Sequence, residues 1–202
     1  MTSPTAAHAD RDAVTDSQGG GPLAPAQREL LLSRIRDIPD WPKPGVVFKD
    51  ITPLLADHTA FTTAIDGLAA VGRDASGRPL VDTVAGIEAR GFILAAPVAQ
   101  ALGASFVPVR KAGKLPYETV SATYELEYGE ETIEVHRDAF AEGSRVLIVD
   151  DVLATGGTVE ATAGLVARCG GEVAAVSILL GLGFLGGRER LGNLDVRVLL
   201  DI

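Results

Sequence analysis

Val146-Leu147-Ile148-Val149-Asp150-Asp151-Val152-Leu153-Ala154-Thr155-Gly156-Gly157-Thr158 is the stretch that decides the fold. The run Arg145–Val149 is almost wholly apolar, the pattern of a parallel strand covered on both faces. It hands two carboxylates, Asp150 and Asp151, to a turn of small residues, and Val159, Ala163 and Val166 then mark a helix. Working outward, Val81–Ile87, Ser105–Arg110 and Val173–Leu180 read as further strands. Between the first two, Phe92–Leu102 reads as a helix that Pro97 should bend. Strand and helix in alternation specify an α/β domain with a mainly parallel central sheet flanked by helices.

Other segments decorate that frame. From Pro25 a helical pattern carries Leu31, Ile35 and Ile38 on one face until Pro39 stops it, which predicts a helix of about three turns. Trp41–Asp50 is expected to be a shaped loop, extended at Pro42 and Pro44 and free to turn at Gly45. Short helices are expected over Thr52–Leu55 and Ala60–Val71. Val120–Leu126 and Glu131–His136 alternate as a two-stranded ribbon joined near Gly129-Glu130, a mobile hairpin by its composition.

The chain has 202 residues, enough for one core and too few for two full-sized domains. One domain over residues 25–202 is expected, preceded by a polar tail, residues 1–24, without apolar periodicity and so disordered. A net charge of −9 argues against nucleic acid or anionic lipid as a partner of the whole surface, so any anion site must be local. The single cysteine, Cys169, excludes a disulfide scaffold or a cysteine zinc site, and His8, His58 and His136 show no ligand pairing. With no apolar run of about 18 residues to span a bilayer, a cytoplasmic protein without membrane partners is expected.

The chemistry lies after the central strand, where an open α/β sheet places its ligand crevice. Glycines let backbone N–H groups approach an anion, Thr155 and Thr158 add hydroxyls, and a helix N-terminus favours negative charge. Ala154, Thr155, Gly156, Gly157 and Thr158 thus form a monophosphate cradle without the lysine of a nucleoside triphosphatase loop. Asp150 and Asp151 would repel that phosphate unless a ribose diol or a divalent cation lay between. Upstream, Glu88-Ala89-Arg90-Gly91 brings N–H groups and a guanidinium to one point between a strand and a helix, which suits a pyrophosphate. Arg110, Lys111 and Lys114 gather positive charge in an acidic protein just before a Gly- and Pro-containing stretch, with a solvated face as the lesser alternative.

Residues 150–158 resemble the phosphoribosyl diphosphate (PRPP) signature of the type I phosphoribosyltransferase family, in the form of its adenine-specific branch. Pro44–Pro53, Glu88–Phe92 and Val109–Pro116 are similar to that branch's other signature segments, in order, so the resemblance covers about residues 27 to 200. It implies the type I fold with a flexible hairpin lid and a small N-terminal hood, and transfer of phosphoribose from PRPP to adenine, giving AMP and pyrophosphate. It further implies Mg²⁺ carried by PRPP with no direct protein ligand, and a homodimer. Asp150 and Asp151 would hold the ribose diol. Glu88, Ala89, Arg90, Arg110, Lys111 and Lys114 would bind pyrophosphate, with a cis peptide between Glu88 and Ala89. Glu127, with Tyr128 in the lid, would handle the purine proton, and Arg90 would join the catalytic set. Phe48 would stack on adenine while the backbone of Val47 and Lys49 reads its edge and Leu182 borders it.

Three positions depart from the family: Lys49 and Ala112, where relatives commonly carry Arg, and Gly181, where some carry Glu. Gly181-Leu182-Gly183-Phe184-Leu185-Gly186 mimics a dinucleotide fingerprint, but too little chain follows for the βαβ unit that site requires. Two rival readings stay open from the sequence: transfer to xanthine, hypoxanthine or guanine, and a PRPP- or purine-sensing regulator on the same fold.

Overall fold

The computed structural model describes residues 23–126 and 129–202. Helix α1 (Pro25–Leu32) leads into a separate antiparallel pair, β1 (Arg36–Pro39) and β2 (Val47–Asp50). Helices α2 (Thr52–Ala56) and α3 (His58–Ala70) precede β3 (Thr83–Ile87), α4 (Arg90–Leu102) and β4 (Ser105–Lys111). The ribbon β5 (Thr119–Leu126) and β6 (Gly129–His136) comes next, then β7 (Arg145–Leu153) and α5 (Gly157–Arg168). The chain finishes with β8 (Glu172–Gly181), a short α6 (Gly187–Arg190) and β9 (Val196–Asp201).

Seven strands form the main sheet in the order β5-β6-β4-β3-β7-β8-β9. The five from β4 to β9 run parallel, and the ribbon adds antiparallel pairing at one edge. This is the mainly parallel α/β architecture expected. Side chains of β7 alternate between two cores, as a strand covered on both faces requires. Leu147 and Val149 pack with Leu68 of α3 and Leu94 and Val98 of α4. Val146 and Ile148 pack with Val159, Leu165 and Val166 of α5 on the opposite face. Each such fully buried aliphatic side chain contributes about 1.5–3 kcal/mol, so the apolar run needs no polar alternation.

The hood differs from expectation. The α1 helix ends at Leu32, and the residues around Ile38 form a strand instead, with Ile38 opposite Phe48 in the register with β2. Thus part of the expected Trp41–Asp50 loop is also a strand. Pairing across this hairpin supplies backbone hydrogen bonds that another helical turn facing solvent would match without gaining a partner, so tertiary context overrides the local pattern. Leu23 packs against the core, so ordered chain begins before residue 25. Gly129 and Glu130, the expected junction of the ribbon, lie within β6 with Gly129 opposite Leu126, and β9, parallel to β8, adds a strand to those expected.

Candidate active site

The crevice exists because neighbouring strands stop at different places. Strand β3 pairs with β7 only to Gly86 opposite Val149, while β7 runs on beside β8 to Leu153 opposite Gly181. Asp150 and Asp151 therefore lie inside a longer strand than expected, at the point where its β3 neighbour ends. From β3 the chain leaves through α4 on one face, and from β7 through α5 on the other. That is the topological switch point at which open α/β sheets bind ligands.

The turn after β7 is held by close backbone packing. Gly156, at φ +82°, caps the N-terminus of α5. A Cβ on Gly156 would lie 2.7 Å from the Gly187 carbonyl oxygen, and one on Gly187 would collide with the Ala154 carbonyl. Helix α6 thus buttresses the turn, a role for Gly187 that the sequence hints at only through the pair Gly186-Gly187. The Thr158 hydroxyl donates to the Tyr124 hydroxyl at 3.0 Å, which ties the ribbon to the start of α5.

Above this turn sits the carboxylate pair. Asp150 Oδ1 accepts the Asp151 backbone N–H at 2.9 Å, and a Cβ on Gly91 would lie 2.7 Å from the same oxygen. Asp151 is buried and faces Arg90, whose Nε is 2.8 Å from Oδ2. Burial and the neighbouring Asp151 charge push the Asp150 carboxyl well above its ordinary value. Burial raises Asp151 as well, against the pull of Arg90. A pair of carboxyls that resists ionisation is suited to a ligand bringing hydroxyl donors or positive charge.

Across the crevice, the cations come from separate segments. Glu88 Oε2 accepts the Lys111 N–H at 3.0 Å and faces Arg110 Nε at 3.3 Å, while Lys114 pairs with Oε1. Burial pushes Glu88 up, but Lys114, the Lys111 amide and Arg110 outweigh it and hold the carboxyl below its ordinary range. The peptide between Glu88 and Ala89 is cis. Buried Glu134 fixes the following loop by accepting the N–H groups of Lys114 and Leu115 at 3.2 and 3.1 Å. Lys111 Nζ meets Glu131 at 2.9 Å.

A cavity of about 410 Å³ joins these parts, lined among others by Glu88, Arg90, Lys111, Tyr124, Glu131, Asp150, Asp151 and Thr158. The structure thus brings together the aspartates, Thr158 and most of the expected pyrophosphate residues. The expected base-reading residues sit in the hood instead. Phe48 has the Arg90 guanidinium 4.8 Å from its ring centroid and Trp41 edge-on at 4.4 Å. The Lys49 carbonyl accepts from Arg90 at 3.5 Å, its ammonium pairs with Asp37, and Val47 is half exposed. Leu182 lines a separate cavity of about 90 Å³ beside Ala154 and Gly181. Glu127 and Tyr128 lie outside the described residues. Tyr124, Glu131 and Glu134 were not foreseen; ribbon alternation is the one sequence signal they carry, and it does not say what they meet.

Residues 54–190 match the model of the phosphoribosyl transferase domain family. An adenine phosphoribosyltransferase of a Nocardioides species is 60% identical over 182 residues, covering 90% of this chain and 98% of the relative. The solved adenine phosphoribosyltransferase of Thermoanaerobacter pseudethanolicus superposes with a TM-score of 0.81 at 50% identity, covering 86% of this chain and 99% of that one. The Saccharomyces cerevisiae enzyme, solved with an imino-altritol bisphosphate and adenine, has a TM-score of 0.82 at 38% identity, covering 87% and 99%.

Proposed function

The chain belongs to the phosphoribosyl transferase domain family, and on that premise we propose how its residues serve purine salvage by transfer of phosphoribose from PRPP to adenine. Adenine N9 bonds to the anomeric carbon as its bond to the pyrophosphate oxygen breaks; AMP and pyrophosphate are released and the N9 proton is lost. The observation that carries the assignment of roles is the cavity itself, lined by Thr158 of the anion cradle, by the cations Arg90 and Lys111 and by the paired carboxyls of Asp150 and Asp151. That combination of chemistry fits a sugar bearing phosphate at one position, a diol in the middle and a diphosphate leaving group.

In this reading Ala154 to Thr158 hold the 5-phosphate and Asp150 and Asp151 accept from the ribose hydroxyls. Arg90, Arg110, Lys111 and Lys114 take the pyrophosphate, with Glu88 gathering the last three and Ala89 supplying backbone. Such a site works mainly by positioning and by neutralising the leaving group. Phe48 offers its ring to adenine, where Val47 and Lys49 present backbone acceptors suited to a 6-amino group, and Leu182 borders the base. Glu127 takes the proton, with Tyr128 closing over it.

Among the described residues no group of three or more His, Cys, Asp or Glu could cage a metal. The oxygen donors of Asp150 and Asp151 nevertheless suit Mg²⁺, which keeps waters and substrate phosphates as ligands. Carried by PRPP with no direct protein ligand, the ion would supply charge neutralisation on the diphosphate. Residues 23–202 work as one domain, in a cytoplasmic homodimer, and no described helix is long and apolar enough to cross a membrane. The experiment is competition among adenine, hypoxanthine, guanine and xanthine for PRPP with Mg²⁺. Adenine alone should be consumed; consumption of an oxopurine would overturn the base reading.

A further inference from the structure

Every cation around the cavity already has a carboxylate of the chain as partner: Arg90 has Asp151, Arg110 and Lys114 share Glu88, and Lys111 has Glu131. A diphosphate entering this site must share those cations with the internal anions or displace them. The three carboxylates differ in their freedom to yield. Side chains of Glu88 and Asp151 are each 8% exposed, while that of Glu131 is 26% exposed. A buried carboxylate that loses its cation is stranded away from water, at high cost. Glu131 can turn into solvent.

We propose that Glu131 is the exchangeable counterion of the pyrophosphate site, holding Lys111 when the site is empty, ceding it to the diphosphate of PRPP and reclaiming it as pyrophosphate leaves. The inference rests on the assignment of Lys111 to pyrophosphate given above. Position supports it twice. Glu131 lines the same cavity as Lys111, Arg90 and the aspartates, so its carboxylate occupies space the diphosphate would share. It also stands opposite Tyr124 in the ribbon register, and Tyr124 bonds Thr158 of the cradle, so one cross-strand rung touches both ends of the cavity. The hydrogen bond from Lys111 to Glu131 is also the main cause raising the lysine's pKa, as expected of a true ion pair. Glu131 is a positioning residue and takes no part in bond making.

The test is calorimetric binding of magnesium pyrophosphate, with steady-state kinetics, for wild type, Glu131→Gln, Glu131→Asp and Glu130→Gln. Glu131→Gln should bind pyrophosphate about two- to fivefold more tightly, the worth of a partly exposed ion pair, and lower KM for PRPP while leaving KM for adenine unchanged. Glu131→Asp, which keeps the charge, should stay nearer wild type. Glu130→Gln removes the same charge from the adjacent, exposed ribbon position, which alternation turns to the other face, and should leave pyrophosphate affinity unchanged. Unchanged or weaker binding by Glu131→Gln, or equal tightening by Glu130→Gln, overturns the inference while AMP formation by the wild type keeps the function intact. A wild type that neither forms AMP nor binds pyrophosphate overturns both.

Discussion

The anion cradle, which reaches the cavity through Thr158, is made from a single turn, residues 154–158, whose shape is imposed by backbone contacts from Gly156 and Gly187. The cations instead come from separate elements, Arg90 from the start of α4, Arg110 and Lys111 from the end of β4 and Lys114 from the loop after it, and each is paired with Glu88, Glu131 or Asp151. The first region is stiff and offers N–H groups that need no counterion. The second is a set of charges balanced in advance, able to trade partners. The contrast matches the proposed chemistry: the 5-phosphate stays attached to the sugar throughout, whereas the diphosphate must be gripped and then released.

The contrast can be broken most severely in the middle. Asp150→Asn combined with Asp151→Asn should cut turnover by roughly 100-fold or more while leaving the fold intact by circular dichroism, since the pair faces the reacting sugar. Retained turnover would contradict the roles assigned. Next in size, Gly187→Ala should act on the stiff end although it lies outside the cradle. Its Cβ would force the Ala154 carbonyl aside, so KM for PRPP should rise at least about tenfold and denaturant stability fall by about 1–3 kcal/mol. An unchanged KM would show that the turn is not buttressed by α6.

On the exchangeable end a single loss should be milder. Lys114→Ala removes one of two cations on Glu88, and KM for PRPP should rise by about tenfold, in the range of one charge-assisted hydrogen bond, with KM for adenine unaffected. The smallest effect concerns stability. Because the folded-state pKa of Asp150 is raised, the protonated form favours folding, and that contribution is lost as pH rises through the folded value. Asp150→Asn mimics the protonated form, so it should raise Tm of the ligand-free protein at pH 7. The gain should vanish below the unfolded carboxyl value of about 3.9. Thermal scans across pH would show it; a lower Tm at neutral pH would contradict the burial argument.

The same division governs what could be read from sequence. The cradle was legible because its strand, carboxylates, glycines and helix start are contiguous, so local rules fix their relation. The cations were legible as residue types, but their partners were not: Lys111 meets Glu131, and Tyr124 meets Thr158, only through strand register. Ile38 reads as helical because its periodic spacing is the same whether or not a hairpin partner is available. Gly187 carries no local signal beside the false dinucleotide pattern, since nothing in the sequence says which distant carbonyl a glycine must let in.

Transfer of phosphoribose from PRPP to adenine in this cavity is the reaction on which every assigned role depends. It is tested most directly by the initial rate of AMP formation from adenine and PRPP, measured with Mg²⁺ and with the metal chelated. Rapid AMP and pyrophosphate formation in equal amounts, dependent on Mg²⁺, is the predicted result; intact PRPP and adenine after incubation with folded protein would contradict it.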